Sequence, residues 1–143
     1  MSDGLDPVER LEATEAVRRL QARLCRAAGE RVWADVDRCF CGDGQLRGYR
    51  PDGELAWFAD APDIGTSVGL EVGPGTLSVH AFGEELVVHS PTRAEGMWTV
   101  EGVLVRPDGT VRRDLGYAHQ TYHRHDGRWL VRSAEFRGRH LER

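Results

Sequence analysis

A predicted hairpin near the end of the chain constrains its fold more than any other sequence feature. Two β-type runs flank the dipeptide Asp126-Gly127, which is typical of a type I′ turn because both central residues of that turn need a positive φ angle. Successive side chains of a strand point to opposite faces. The run before the turn therefore has two chemically different faces, one with Gly116, Ala118, Gln120 and Tyr122 and the other with Tyr117, His119, Thr121, His123 and His125.

The remaining chain divides into a helical part and a β part. Apolar residues such as Val8 and Leu11 recur at three- and four-residue intervals over residues 7–28, which predicts an amphipathic helix that stops at Gly29. Similar spacing predicts a short second helix over residues 31–40. Turn residues then separate predicted strands at 45–50, 54–58, 76–89, 95–106, 110–124 and 128–137.

Residues 60–75 are rich in glycine and proline, and they form either a loop or a short, weak helix. Helices followed by a run of antiparallel strands predict an α+β fold, in which a curved sheet wraps the helices on its inner face. No repeat or linker interrupts the sequence, so residues 1–143 are expected to form a single domain. A domain of this length needs no disulfide bonds to be stable.

Composition excludes several classes of function. All 19 basic residues are arginine, so no lysine is present for a Schiff base or a phosphate-binding loop. The net charge of -4 argues against nucleic acid as a partner. No membrane-length apolar run or signal-peptide pattern occurs, so a soluble cytoplasmic protein without a membrane partner is expected. The spacing of Cys25, Cys39 and Cys41 predicts buried, reduced thiols instead of a zinc site or redox pair.

Five short motifs follow one another in a fixed order. They are Ala16-Val-Arg-Arg-Leu-Gln-Ala-Arg-Leu-Cys-Arg-Ala, Val32-Trp-Ala-Asp-Val, His80 before a strand, Ala94-Glu-Gly-Met-Trp98, and Tyr122 followed by Asp126-Gly-Arg-Trp129. This order, which spans residues 11–137, resembles the SnoaL-like branch of the nuclear-transport-factor-2-like superfamily. The pattern is similar to that of the bile-acid 7α-dehydratases and, more distantly, to those of the scytalone dehydratases and polyketide cyclases.

The resemblance implies both a fold and a kind of site. The implied fold is a cone-like barrel, in which a strongly curved, mostly antiparallel sheet surrounds two or three N-terminal helices. Members of the superfamily use the mouth of the cone as a pocket for apolar, often polycyclic molecules, and many catalyse acid–base reactions there without a cofactor. The fold also serves as a non-catalytic scaffold, so it does not by itself give an activity.

The dehydratase pattern has five polar pocket positions, and this chain retains only some of them. The tyrosine position falls on Leu24, the first aspartate on Gly29, the histidine on His80, the strand aspartate on Gly102 and the arginine on Arg137. The aspartate of a further Tyr-x-Asp strand motif becomes Gln120. The resemblance therefore implies a broken Asp–His pair, a retained histidine and arginine, and a larger, drier pocket for a bulkier and less polar ligand.

Three residues are candidates for catalysis. His80 is the first, as a general acid or base, because an imidazole titrates near neutral pH; the alternative is a core histidine bonded to a backbone carbonyl. Arg137 would stabilise a developing enolate or carboxylate, or it is a solvated surface arginine. Glu135 has the same strand parity as Arg137, and it either pairs with that arginine or supplies the missing carboxylate base.

Strand alternation predicts the apolar walls of the pocket. Trp98, Val100, Gly102, Leu104, Trp129 and Val131 would face the pocket, as small-molecule sites generally require. Core packing explains the same residues equally well. Tyr49 and Trp57, in the hairpin around Pro51-Asp-Gly53, line the entrance or cover the sheet.

The histidines of the other strand face raise the alternative of a metal site. His123 and His125 share a face and are close enough for chelation, but His119 is too far along the strand to join them. Solvated or interface histidines are the preferred interpretation, and neither a metal nor a cofactor is expected. Tyr117, Thr121, Leu130 and Arg132 form the predicted surface of a homodimer.

Two classes of function follow. The leading hypothesis is a cofactor-independent lyase, isomerase or cyclase that acts on a hydrophobic, polyketide-like or polycyclic molecule, with His80 moving a proton and Arg137 stabilising the oxyanion. The alternative is a non-catalytic small-molecule-binding or interaction protein on the same scaffold. The retained histidine and arginine favour the first hypothesis, and the loss of the two aspartates and the tyrosine favours the second.

Overall fold

Helices open the chain and long strands close it in the computed structural model, which describes residues 4–142. The helices of this part are α1 (Pro7–Gly29), α2 (Trp33–Arg38) and α3 (Ile64–Val72). Its strands are β1 (Phe40–Tyr49), β2 (Leu55–Asp60), β3 (Thr76–Ser90), β4 (Arg93–Val105), β5 (Val111–His125) and β6 (Arg128–Glu142). The predicted α+β class is confirmed.

Helix α1 begins and ends close to where the sequence predicts. The carboxylate of Asp6 caps it by accepting a hydrogen bond from the backbone N–H of Glu9 at 2.7 Å, which satisfies one of the free donors of the first turn. The helix runs one residue beyond the predicted range of 7–28, because Gly29 is still helical. The first positive φ angle after the helix, 61°, belongs to Arg31.

The buried stripe of α1 starts later than predicted. Val8 and Leu11 are 62% and 70% exposed, although their spacing fits the apolar face. The first residue of the helix that is buried is Ala13, followed by Val17 and Leu20. The first two turns of α1 therefore precede the buried part of the helix.

The structure corrects the predicted boundaries of the second helix and of residues 60–75. Phe40 begins β1 and pairs with Val131 of β6 instead of closing the second helix. Residues 60–75, for which the sequence allowed either a loop or a short helix, contain the helix α3. The Trp33 indole lies across Gly69 of α3, where a Cβ would approach its Nε1 to 2.7 Å. A glycine at this position therefore lets α3 pack closely on α2.

The strands form one six-stranded sheet in the order β2-β1-β6-β5-β4-β3. Neighbouring strands are antiparallel except for β1 and β6, which are parallel. The sheet is curved but does not close into a barrel. At the turn between β5 and β6, the φ angles are 50° at Asp126 and 76° at Gly127, so both are positive, as the predicted hairpin requires.

The inner face of the sheet holds the core. On β5, the predicted inner residues, Gly116, Ala118, Gln120 and Tyr122, are all buried, whereas none of the residues between them is. The alternation of faces is thus confirmed. Val17 and Leu20 of α1, Ile64 of α3 and Val131 of β6 are at most 1% exposed and pack in one cluster. Across the described residues, no helix has the length and apolar character that a membrane span needs.

Candidate functional site

A cleft of about 420 Å³ lies between α1 and β3. It is lined by Arg18, Gln21, Ala22 and Cys25 of α1, by Val79, His80, Ala81, Phe82 and Glu84 of β3, and by Trp98 of β4. An adjoining cavity of about 360 Å³ shares four of these residues and extends to Gly29 and Leu77. Together the two cavities make a groove along α1, whose lining mixes apolar residues with polar ones such as Arg26, Glu30 and Ser78.

Buried hydrogen bonds hold the Trp98 side chain at this cleft. Trp98 Nε1 donates to the Tyr122 hydroxyl at 2.8 Å, and that hydroxyl donates to Gln120 Oε1 at 2.6 Å. Gly96 leaves room for the network, since a Cβ there would lie 3.1 Å from the Tyr122 hydroxyl oxygen. Burial raises the pKa of the Tyr122 hydroxyl far above its ordinary value, so this group stays protonated and donates.

Gln21 is a polar residue on the apolar face of α1. Its side chain lines the cleft and is 5% exposed. Its Nε2 lies 3.8 Å from Cys25 Sγ, while its Oε1 has no hydrogen-bond partner among the residues that the structure describes. This oxygen is closed to solvent, and an unpaired buried acceptor destabilises a fold.

Sequence reasoning missed Gln21, although a signal was present. Position 21 follows Val17 by four residues and precedes Cys25 by four, so it belongs to the stripe of α1 that faces the core. A polar residue in the middle of such a stripe indicates either a buried hydrogen-bond network or a binding role.

Charged side chains stand at the rim of the cleft. Arg18 Nε and Glu84 Oε1 are 2.8 Å apart, and the two side chains are 49% and 24% exposed. Hydrogen bonds from the Glu84 backbone and from Arg18 lower the pKa of the Glu84 carboxyl. Farther inside, burial raises the pKa of the Cys25 thiol, which keeps this group neutral. The interior of the cleft is therefore uncharged.

His80, the predicted acid or base, borders both cavities. It is exposed on β3, an edge strand, and it pairs with Glu101 of β4. Alternation places its side chain on the outer face, because its neighbours Val79 and Ala81 are the partly buried residues. His80 is thus not a core histidine, and it meets the cleft at its edge.

Arg137, Glu135 and Tyr49 lie together in a different cavity on the outer face of the sheet. This outer groove, of about 420 Å³, is lined by Tyr49, Met97, Tyr117, His119, Glu135 and Arg137. The Arg137 guanidinium stands 5.7 Å from the centre of the Tyr49 ring. The structure therefore does not bring His80 and Arg137 into one pocket, as was expected, because β3 and β6 are separated by β4 and β5 in the sheet.

The remaining predicted pocket residues differ in their surroundings. Trp98 lines the cleft, and Gly102 faces the same side of β4, with no atom within 4 Å of a Cβ at its position. Leu24 and Trp57 are partly buried and pack against the core cluster. Gln120 is 3% exposed and is bonded to Tyr122, so it supports the network behind the cleft.

Two outer-face histidines are hydrogen-bonded to Glu95. His119 Nε2 lies 3.2 Å from one carboxylate oxygen, and His89 Nε2 lies 2.9 Å from the other. These bonds lower the pKa of Glu95, and the bond from His119 has the larger effect. In the described part of the chain, no three His, Cys, Asp or Glu side chains are placed to hold a metal ion, and this covers His123 and His125.

Several solved structures share this fold at low sequence identity. A candidate scytalone dehydratase from Novosphingobium aromaticivorans DSM 12444 is 17% identical, with a TM-score of 0.80, over 92% of this chain and 87% of that chain. The hexachlorocyclohexane dehydrochlorinase LinA-type3 from Novosphingobium barchaimii LL02 is 14% identical, with a TM-score of 0.79, over 96% of this chain and 93% of that chain. The beta subunit of a candidate aromatic-ring-hydroxylating dioxygenase from Novosphingobium aromaticivorans DSM 12444 is 11% identical, with a TM-score of 0.78, over 92% of each chain.

Sequence comparison gives the family. No curated protein sequence matches the chain significantly. The family profile of the SnoaL-like domain matches residues 9–135, which include most of α1, the cleft and the sheet up to the middle of β6. The chain therefore belongs to the family of SnoaL-like domains.

Proposed function

We propose that this chain binds an apolar, polyketide-like or polycyclic small molecule in the cleft between α1 and β3. We further propose that it converts this molecule without a cofactor, as a lyase, isomerase or cyclase. The observation that carries the proposal is the make-up of the cleft, whose interior is uncharged and contains the Trp98 ring and the Gln21 amide, while its ion pair stands at the rim. Such a site favours an apolar ligand with few polar groups.

Proteins of the same fold support a reaction that moves a proton. Two of the similar structures carry the names dehydratase and dehydrochlorinase, and both names describe an elimination. An elimination of this kind removes a proton from carbon while a leaving group departs. A side chain that takes up and returns a proton is therefore the chemistry to seek at the cleft.

In the proposed reaction, His80 acts at the edge of the cleft. Its imidazole takes a proton from a carbon next to a ligand carbonyl, and the electron pair moves onto the carbonyl oxygen. Arg18, at the same rim, stabilises the resulting enolate. The imidazolium then returns the proton to another carbon in an isomerisation or to a departing hydroxyl in a dehydration. Arg137 lines the outer groove and takes no part in this step.

A comparison of metabolite masses tests the proposal. Purified protein and the variant His80→Ala are each incubated with metabolite extract from a strain of the source organism that lacks this gene. We expect the unaltered protein to form a product that is isobaric with its precursor or lighter by one water, and His80→Ala to form none. The control is His125→Ala, whose side chain is 70% exposed near the β5–β6 turn and which should keep the activity. A product that His80→Ala still forms would contradict the role of His80.

Binding without turnover is the second candidate function. It is favoured by the outward position of the His80 side chain and by the apolar or absent side chains at Leu24, Gly29 and Gly102. One similar structure is named as the beta subunit of an enzyme. This name favours a non-catalytic role for the fold. A metabolite that co-purifies with the protein and is released unchanged, with no product formed from the extract, would favour this candidate.

We also infer that the outer face of the sheet joins two copies of the chain. Phe82, Met97 and Tyr117 on this face are 49%, 41% and 43% exposed, and large exposed apolar patches commonly mark interaction sites. The same face carries Glu135 and Arg137 in one groove. A two-fold arrangement can therefore set opposite charges of the two copies against each other.

A further inference from the structure

A cavity of about 280 Å³ between α1, α2 and the start of β6 has a basic lining. Four arginines line this arginine cavity, Arg23, Arg26, Arg38 and Arg128. We propose that it binds a small phosphate ester through the guanidiniums of Arg23, Arg26 and Arg128. It shares only Arg26 and Glu30 with the groove along α1, so this site is additional to the proposed function.

The fold brings arginines from different elements to this cavity. Arg23 and Arg26 are three residues apart on α1, so they share a face of the helix. The backbone N–H of Val131 donates to the carbonyl oxygen of Cys39 at 2.8 Å. This bond fixes the start of β6 beside the end of α2, and Arg128 reaches the cavity from there.

The floor of the arginine cavity is buried and uncharged. Ala27 and Cys39 line it and are 5% and 1% exposed. Burial raises the pKa of the Cys39 thiol, whereas Arg23 and Arg128 both act to lower it. Two guanidiniums from different elements therefore stand near one neutral thiol, which supports their convergence on this cavity.

The positive charge of the cavity is not balanced by its acidic residues. Asp35 already pairs with Arg38, which leaves Glu30. The other three guanidiniums have no ion pair among the described residues. One carboxylate does not neutralise three guanidiniums, so the cavity is positive although the chain carries a net charge of -4.

Capping of the α1 helix does not account for these arginines. The carbonyl oxygens of residues 26–28 each accept a hydrogen bond from a backbone N–H of residues 30–32. An arginine side chain is therefore not needed to satisfy the end of the helix, and Arg128 belongs to β6.

The shape of the guanidinium indicates the class of ligand. Its planar fork of N–H donors matches the oxygens of a carboxylate or a phosphate. A carboxylate has two oxygens, whereas the phosphate of an ester has three strong acceptor oxygens and a charge near -2 at neutral pH. Three guanidiniums from two elements therefore fit a phosphate better. The cavity lies below the usual range of about 300–1,000 Å³ for ligand pockets, which limits the ligand to a small ester.

Methyl phosphate and acetate are matched probes, because each joins one methyl group to an oxyanion. At about pH 7.5 and low salt, calorimetric titration of the unaltered protein should show methyl phosphate bound about tenfold more tightly than acetate. The double variant Arg23→Gln with Arg128→Gln should bind methyl phosphate about tenfold more weakly than the unaltered protein does. Each single variant should show part of this loss.

A second double variant controls for the change in net charge. Arg19→Gln with Arg50→Gln removes the same charge at side chains that are 74% and 60% exposed outside the cavity, and it should keep the affinity. Thermal unfolding gives an independent readout. Methyl phosphate should raise the Tm of the unaltered protein and of the control, but not that of the cavity variant.

Two results would overturn the inference. If methyl phosphate and acetate bind equally, the cavity does not select a phosphate. If the control loses as much affinity as the cavity variant, the anion is attracted by the general surface charge and not by these arginines. Neither result bears on the conversion at the cleft, which the His80→Ala comparison tests.

Discussion

Tyr122 is the residue on which the buried polar network depends. Its hydroxyl accepts from Trp98 and donates to Gln120, so Tyr122→Phe leaves an N–H and a carbonyl oxygen without that partner in the interior. We expect the free energy of unfolding to fall by about 1–3 kcal/mol, as measured by urea denaturation. The control is Tyr49→Phe, which keeps the ring that Arg137 faces and should change stability by less than about 0.5 kcal/mol. A Tyr122→Phe effect as small as that of the control would contradict the prediction.

Glu95 gives a prediction for the dependence of stability on pH. Its pKa in the folded protein lies below the ordinary value of 4.5 because His119 and His89 bond to its ionised form. Its stabilising effect is therefore complete above about pH 4.5 and is lost as the pH falls through the folded-state pKa. The effect is small, because the side chain is 40% exposed and solvent screens it.

The measurement for Glu95 compares thermal unfolding of the unaltered protein and Glu95→Gln at low salt, from about pH 7 down to about pH 3. We expect a higher Tm for the unaltered protein at the upper end and convergence of the two curves at the lower end. A difference in Tm that stays constant over the whole range would show that ionised Glu95 contributes nothing through these histidines.

Residue positions could be predicted from the sequence only where the alternation was unambiguous. Trp98 lies in a strand whose polar and apolar residues alternate, and it lines the cleft as predicted. Around His80, apolar residues occur at positions of both strand faces, with Val79 on one face and Phe82 on the other. The sequence therefore does not show on which face the His80 side chain lies. The separation of Arg137 from His80 follows instead from the strand order, which puts β4 and β5 between β3 and β6.

Helix α3 offers a prediction at the scale of an element. A Cβ at Gly65 would collide with the backbone carbonyl of Trp33, which cannot move aside as a side chain can. Gly65→Ala is therefore expected to lower the free energy of unfolding by about 1–3 kcal/mol, although alanine favours a helix over glycine by about 1 kcal/mol. Chemical denaturation measures it, with Thr66→Ala, at an exposed position of the same helix, as the control. Equal stabilities of these two variants would rule out the close packing.

The elements themselves were predictable to different degrees. Turn residues such as those at Asp126-Gly127 mark the long strands in the sequence, because a positive φ angle restricts which residues can stand there. The start of β1 could not be read in the same way. Phe40 continues the helical spacing of Val32 and Val36, and its pairing with Val131 of the distant β6 leaves no local pattern.

The assembly state is a property of the whole molecule. If the outer face joins two copies, light scattering after size-exclusion chromatography should give the mass of a dimer. Met97→Glu should give the mass of a single chain, because it buries a charge in that interface. The control is Leu70→Glu, which places the same charge on α3 at a side chain that is 80% exposed and should leave the dimer intact. A monomeric unaltered protein would contradict the inference.

The fold as a whole was easier to predict than its site. The order of two helices and a run of strands extends over the entire chain, so many weak signals add up to one architecture. A cleft depends instead on a few side chains from distant segments, such as Gln21 of α1 and Trp98 of β4. A single sequence does not show which of these face each other.

The parallel pairing of β1 with β6 also bears on the order in which the molecule assembles. Strands β3, β4 and β5 each pair with the next strand along the chain, so their contacts close short loops. In contrast, β1 sets Leu46 against Ala134 and must close a far longer loop, at a greater loss of chain entropy. The C-terminal half can therefore form early, and the docking of the N-terminal half onto β6 completes folding. Substitutions at the β1–β6 contact should then mainly accelerate unfolding and leave the folding rate nearly unchanged.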